Sequence, residues 1–125
     1  MATFVVSTSG DVLTFIGSGN VSAEDLIETI KRCYPTQLIK HALWDFSECS
    51  MDNLSTEGLR LVLATAHESM DDRREGKTAF VGKGDLEFGL SRLYSSIADM
   101  KGKPVQNGVF RTREEAKQWL NDPKL

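Results

Sequence analysis

The sequence predicts an α/β domain with a mixed, mostly parallel sheet of about five strands and four helices in the order ββαβαβαβα. Three observations carry this. Short β-branched and aromatic runs alternate with segments of helical periodicity. Turn residues punctuate the chain at regular intervals, with no repeat or Pro-rich linker to divide it, so residues 1–125 read as one domain. The stretch Asn107 to Leu120 reads as a strand passing directly into a capped amphipathic helix. Strands alternating with helices require crossover connections, and right-handed crossovers make most of the sheet parallel.

The elements follow in order. Thr3 to Thr8 and Val12 to Ile16 are strands joined through Ser9-Gly10-Asp11 as a hairpin, which adds one antiparallel strand. Ser22 caps the first helix with Asp25 at the reciprocal position, and Leu26, Ile27 and Ile30 share its buried face until Pro35 ends it. Ala42 to Phe46 is apolar except for Asp45, as expected of a central strand covered on both faces. A polar loop, Ser47 to Asn53, precedes a second helix from Ser55 or Thr56 to about Arg74, with Leu59, Val62, Leu63, Ala66 and Met70 as its stripe.

Gly76 ends that helix and Thr78 to Val81 is the next strand. Asp85 then caps a third helix whose apolar stripe is Leu86, Leu90, Leu93, Tyr94, Ile97 and Met100, stopped by Gly102 and Pro104. Val109 and Phe110 form the last strand. Thr112 and Glu115 make a capping box whose carboxylate reaches the cap's own N–H, and Ala116, Trp119 and Leu120 share one face of the last helix.

The totals exclude several classes of function. With 15 basic and 18 acidic side chains the net charge is -3, so no general positive field exists to hold nucleic acid. Arg73, Arg74, Lys77, Arg92, Lys101, Lys103, Arg111 and Arg113 are interleaved with acids and read as surface charge. No apolar segment approaches membrane-spanning length, and Met1 to Val6 lacks the basic start and apolar run of a signal peptide, which makes the cytoplasm the expected location. Cys33 and Cys49 are expected to be packing thiols. Together with His41 and His67 they show no short paired spacing of a metal site, so neither metal nor cofactor is expected.

Leu43-Trp44-Asp45-Phe46-Ser47, Gly89-Leu90-Ser91-Arg92-Leu93-Tyr94 and the ending Val109 to Leu120, with its Glu-Ala-x-x-Trp-Leu helix, resemble the SpoIIAA-like bacterial family. That family belongs to the STAS superfamily of anti-sigma-factor antagonists and also looks like the CRAL-TRIO lipid-transfer fold. The resemblance implies a STAS-like fold and a non-enzymatic regulatory or interaction module, acting through a protein partner or as a homodimer. Its CRAL-TRIO side implies the alternative of a carrier or sensor of a small apolar, lipid-like ligand, with the apolar faces of the second and third helices lining a pocket. Signalling STAS domains carry a phosphorylatable hydroxyl in Asp-Ser-Ser-Gly-Leu after the central strand. The matching place here is Asp52-Asn53-Leu54-Ser55-Thr56-Glu57-Gly58-Leu59, whose acid-to-hydroxyl spacing departs from that motif.

Ser55 and Thr56 are accordingly the candidate phosphorylation or switch residues, with helix capping as the competing reading. Asp45 and Asp52 flank the carboxyl end of the central strand, where open α/β sheets place ligand crevices. Gly82 and Gly84, between strand and helix, offer backbone N–H groups but lack the order of a phosphate-binding loop. Phe88 lies about 200° from Leu86 at about 100° per residue and is expected to face away from the buried stripe, either as a partner or ligand contact or tucked under the neighbouring Ser47 to Asn53 loop. No Gly-x-Ser-x-Gly elbow or nucleophile, base and acid spacing is present, so no catalytic residue is expected.

Overall fold

A computed structural model gives the chain's fold and describes residues 2–34, 40–69, 76–100 and 105–122. β1 (Thr3–Ser9) and β2 (Val12–Asn20) form the hairpin, with Gly10 at φ 60 supplying the left-handed turn residue. α1 (Ala23–Cys33), β3 (His41–Ser50), α2 (Thr56–Ser69), β4 (Lys77–Val81), α3 (Asp85–Met100), β5 (Gln106–Phe110) and α4 (Arg113–Asn121) complete the ββαβαβαβα order. The sheet runs β1-β2-β3-β4-β5, with the first pair antiparallel and the remaining three parallel.

Sequential order has a direct physical consequence. Three right-handed crossovers that all step the same way must place α1, α2 and α3 on one face. α4 follows the last strand and packs on the other. The alternation of β3 shows the division: Ala42, Trp44 and Phe46 join the cluster under the first three helices, while Leu43 joins Ala79, Val81, Ala116 and Leu120 under α4. Phe15 stacks on Trp44 with ring centroids 3.9 Å apart, Phe4 meets Trp44 edge-on at 5.5 Å, and Trp44 Nε1 donates to Tyr34 Oη at 2.8 Å. The indole is thus buried with its N–H satisfied.

The capping box of α1 forms as expected: Asp25 N donates to Ser22 Oγ at 3.1 Å and Ser22 N to Asp25 Oδ2 at 3.1 Å. In α4 only half of one forms. Glu115 N donates to Thr112 Oγ1 at 3.2 Å, but the Glu115 carboxylate meets that same hydroxyl at 3.0 Å rather than the Thr112 N–H.

Other expectations need correction. Ser47 to Ser50 are strand rather than loop, because β2 continues to Asn20 and pairs with Glu48, Cys49 and Ser50 beyond a register shift. Asp85 is the first residue of α3, not its cap: Phe88 N donates to Gly84 O at 2.9 Å, putting Gly84 at the cap position. The buried face of α3 is Ser91, Ser95 and Ala98, whereas Leu86, Leu93 and Met100 are exposed. Small side chains let this helix lie close to the sheet, and closeness of backbone rather than size of side chain decides which face is covered. Leu90 and Tyr94 still pack on the core from its border.

In α2, Leu59, Val62, Leu63 and Ala66 are buried as expected. Pro35, Met70, Arg73, Arg74, Lys101, Gly102, Lys103 and Pro104 lie outside the described residues.

Candidate functional site

The expected site residues all gather at the carboxyl end of the parallel strands, but on two sides of the sheet. On the α4 side stands Asp45. Its carboxylate is 1% exposed, accepts from Ser47 N at 2.9 Å and from the Ser47 hydroxyl, and takes Arg113 Nε at 2.6 Å on its other oxygen. Burial pushes its pKa up, but the Ser47 hydroxyl and N–H and the Arg113 guanidinium outweigh that and hold the carboxyl below its ordinary 3.8. This is an ionised, fully engaged carboxylate, fitted to fix the end of β3 against the start of α4. Arg113 sits in the first turn of α4, where the helix dipole disfavours a cation. That misplacement was the available sequence signal for a carboxylate partner.

On the other side, Asp52, Ser55 and Thr56 lie on the segment that leads into α2, opposite the start of α3. All three are exposed. Ser55 Oγ accepts from Gly58 N at 3.0 Å and Ser55 O from Leu59 N at 3.0 Å, so Ser55 is the N-cap of α2 and Thr56 its first helical residue. Glu87 of α3 closes the gap by accepting from Met51 N at 3.0 Å. No sequence pattern marked Glu87, because its partner is a backbone N–H 36 residues away.

Gly82 holds the two layers together. Its N–H donates to Phe110 O at 2.9 Å, and a Cβ there would come within 2.7 Å of Phe88 N and 2.8 Å of Phe88 Cα. Only glycine admits so close an approach of the α3 backbone. Phe88 does not face away from the sheet as its position relative to Leu86 suggested. It is half-buried beneath the Arg111 guanidinium, whose carbon lies 4.0 Å from the ring centre, and Arg111 also donates to Lys83 O at 3.1 Å and Asp85 Oδ1 at 3.0 Å. Gly84 is exposed beside this clasp.

Cys49 lies between the two sides. Burial first, then the negative charges of Asp45, Glu87 and Glu48, push its thiol up to about 11. It is a poor nucleophile.

A second feature lies below this rim. α2 packs chiefly on α1 and α3 on β5, so the two helices part over β3 and β4. The cleft between them has a volume of about 1270 Å³ and is bordered by Trp44, Phe46, Met51, Val62, Phe80 and Ser91 among others. Those apolar walls stand close together, each retaining less than a tenth of its surface. Its polar border, at the amino ends of the strands, includes His41, Lys77, Gln106 and Asn107, with His67 of α2. His41 Nδ1 accepts from Lys77 N at 3.0 Å, and Lys77, buried rather than the surface charge expected, donates from Nζ to Trp119 O at 2.8 Å and Asp122 O at 2.5 Å.

Among the described residues, no cluster of three or more His, Cys, Asp or Glu could hold a metal ion. No described helix is long and apolar enough to cross a membrane.

This arrangement of a hairpin-led mixed sheet, three helices on one face and a fourth behind it is a SpoIIAA-like α/β fold. It is similar along nearly its whole length to an uncharacterised protein of the DUF3478 family with a SpoIIAA-like fold from Shewanella loihica PV-4, at TM-score 0.62 and 23% identity over 95% of this chain and 93% of that one. An anti-sigma factor antagonist from Mycobacterium paratuberculosis matches at TM-score 0.64 and 20% identity, over 98% and 96% of the two chains. The anti-sigma factor antagonist SpoIIAA in its unphosphorylated form matches at 0.59 and 16%, over 94% and 96%. No family model matches this chain. No curated protein matches it either.

Proposed function

We propose that this chain is a non-enzymatic regulatory module of the STAS type, acting through a protein partner or a second copy at the rim formed by the β3–α2 segment and the start of α3. The observation that carries this reading is the joining of Asp52, Ser55 and Thr56 to Gly84 and the half-buried Phe88 across the Glu87 to Met51 hydrogen bond, with the buried Gly82 beneath them. Two separate segments thereby present one continuous surface, with exposed hydroxyls at a helix N-terminus. The likeness to two anti-sigma factor antagonists supports the choice of a protein partner. A phosphate on Ser55 would stand at the positive end of α2 and change the rim by nearly two charges.

Native mass spectrometry of the protein taken from its own host tests this. The expected result is a complex with a second polypeptide or a dimer, weakened in the Ser55→Asp variant. A bare monomer, with no phosphate-sensitive mass and no change on substitution, overturns it.

The cleft favours a second reading, a carrier or sensor of a small apolar molecule. Its border combines apolar side chains of α2, β3 and β4 with polar ones at the amino ends of the strands, the mix that small-molecule sites use. The same spectra test this reading through an added small-molecule mass that organic extraction removes.

A further inference from the structure

The two edges of the sheet are protected differently. β5 has five residues, of which Asn107 to Phe110 are half-buried, and α3 and α4 both pack against it. β1 has seven, Thr3-Phe4-Val5-Val6-Ser7-Thr8-Ser9, and no described strand pairs with its outer side. Edge strands are ordinarily blunted by charge, proline, a bulge or shortness, because their free N–H and C=O groups template another strand. β1 carries no charge and no proline, and its register with β2 runs unbroken from Thr3 to Ser9. Val5, near its middle, is 63% exposed.

The hairpin fixes which backbone groups are free. Across the two-residue turn Gly10-Asp11, Ser9 and Val12 exchange the first hydrogen bonds, and the alternation of an antiparallel ladder assigns the next ones to Ser7, Val5 and Thr3. Phe4, Val6 and Thr8 therefore turn their N–H and C=O groups away from β2, and among the described residues none of these groups bonds elsewhere. Two antiparallel registers with a second β1 engage all three. One sets Phe4 against Thr8 and Val5 against Ser7. The other pairs Phe4 with Val6 of the second copy, Val5 with Val5 and Thr3 with Ser7. It matches an aromatic to a β-branched side chain on the core face, where Phe4 and Val6 are only half-buried, and sets no charge against a like charge. An unrelated extended peptide would satisfy the backbone alone, whereas this strand also matches its own side chains.

We propose that β1 pairs antiparallel with β1 of a second copy about a two-fold axis at Val5, joining the two sheets into one. A two-fold axis within a continuous sheet stands perpendicular to it, so both core faces stay on the same side and Phe4 and Val6 of each copy extend the cover of the other. β2 lies between this edge and the β3–α2 rim, so the pairing neither uses the rim nor depends on the function proposed for it.

The test is sedimentation equilibrium of the full chain from micromolar to millimolar concentration, with Val5→Lys, Val5→Thr and Ser55→Asp beside wild type. Wild type, Val5→Thr and Ser55→Asp are expected to dimerise as concentration rises, while Val5→Lys, whose charges would meet at the axis, stays a monomer. The exposure of Val5 leaves the fold of each variant intact. In a Cys33→Ala, Cys49→Ala background, which removes both free thiols, Val5→Cys is expected to close a disulfide between copies and Ser7→Cys is not. Residues facing each other in a non-hydrogen-bonded pair have Cα atoms about 4.5 Å apart, within disulfide reach. A wild-type monomer at every concentration overturns the proposal. So does a dimer that survives Val5→Lys or that Val5→Cys fails to cross-link; if Ser55→Asp weakens that dimer, it belongs to the rim and the function proposed there stands.

Discussion

Arg113 and Asp45 are 68 residues apart in sequence, yet Arg113 Nε donates to Asp45 Oδ2 at 2.6 Å and locks the carboxyl end of the central strand to the first turn of α4. The carboxylate is 1% exposed and the arginine side chain 41%. Removing the arginine therefore leaves a buried charge with only Ser47 to satisfy it. Arg113→Ala is expected to cost about 2 kcal/mol in urea unfolding at pH 7. A cost below a few tenths would mean that water replaces the guanidinium without loss.

The same pair sets an acid limb. Because the folded carboxyl lies below its ordinary 3.8, its contribution is complete above that value and is lost as pH falls through the folded pKa. Wild-type stability should drop below about pH 4, with a shallower drop in Asp45→Asn, which is also less stable than wild type at neutral pH. Parallel acid limbs in the two proteins would locate the linkage elsewhere.

Gly82→Ala is expected to destabilise by about 2 kcal/mol, since its Cβ would press on the backbone of Phe88 rather than on a side chain able to turn aside. The loss should be accompanied by changed amide shifts at Glu87 and Met51, which share a hydrogen bond across that junction. Thermal unfolding at the wild-type temperature would contradict the close approach.

Ser55→Ala removes the acceptor of the Gly58 N–H and should cost about 1 kcal/mol, whereas Ser55→Asp, an equally good cap with a favourable charge, should cost little. Equal losses in the two variants would show that capping is not what Ser55 contributes.

With its thiol near 11 against an ordinary 9.0, Cys49 carries about a hundred-fold less thiolate at pH 8 than an unperturbed cysteine. In a Cys33→Ala background its alkylation by iodoacetamide should be correspondingly slow and should rise steeply only toward pH 11. Labelling at the rate of free cysteine would show that burial and the carboxylates around it exert no such effect.

Much of the architecture was legible in the chain because its signals are local. The Ser22 and Asp25 capping box, the hairpin around Gly10 and the apolar run of β3 covered on both faces depend on residues within a few positions of one another, and each appears where the pattern placed it. The α3 surface shows where that reading fails. Leu86, Leu93 and Met100 have the right spacing for a core stripe, but the helix turns Ser91, Ser95 and Ala98 to the sheet because small residues permit the closest approach.

The sequence by itself therefore determined the order of elements, the antiparallel hairpin on a parallel sheet, and the helix caps at Ser22 and Thr112. Tertiary structure alone decided the Asp45 and Arg113 pair, the Glu87 bridge to Met51 and the placement of Phe88 under Arg111. The physical reason is separation along the chain. Propensity, capping and periodicity act over one or two turns, whereas each of these contacts joins segments that meet only after three crossovers have stacked the helices on one face of the sheet.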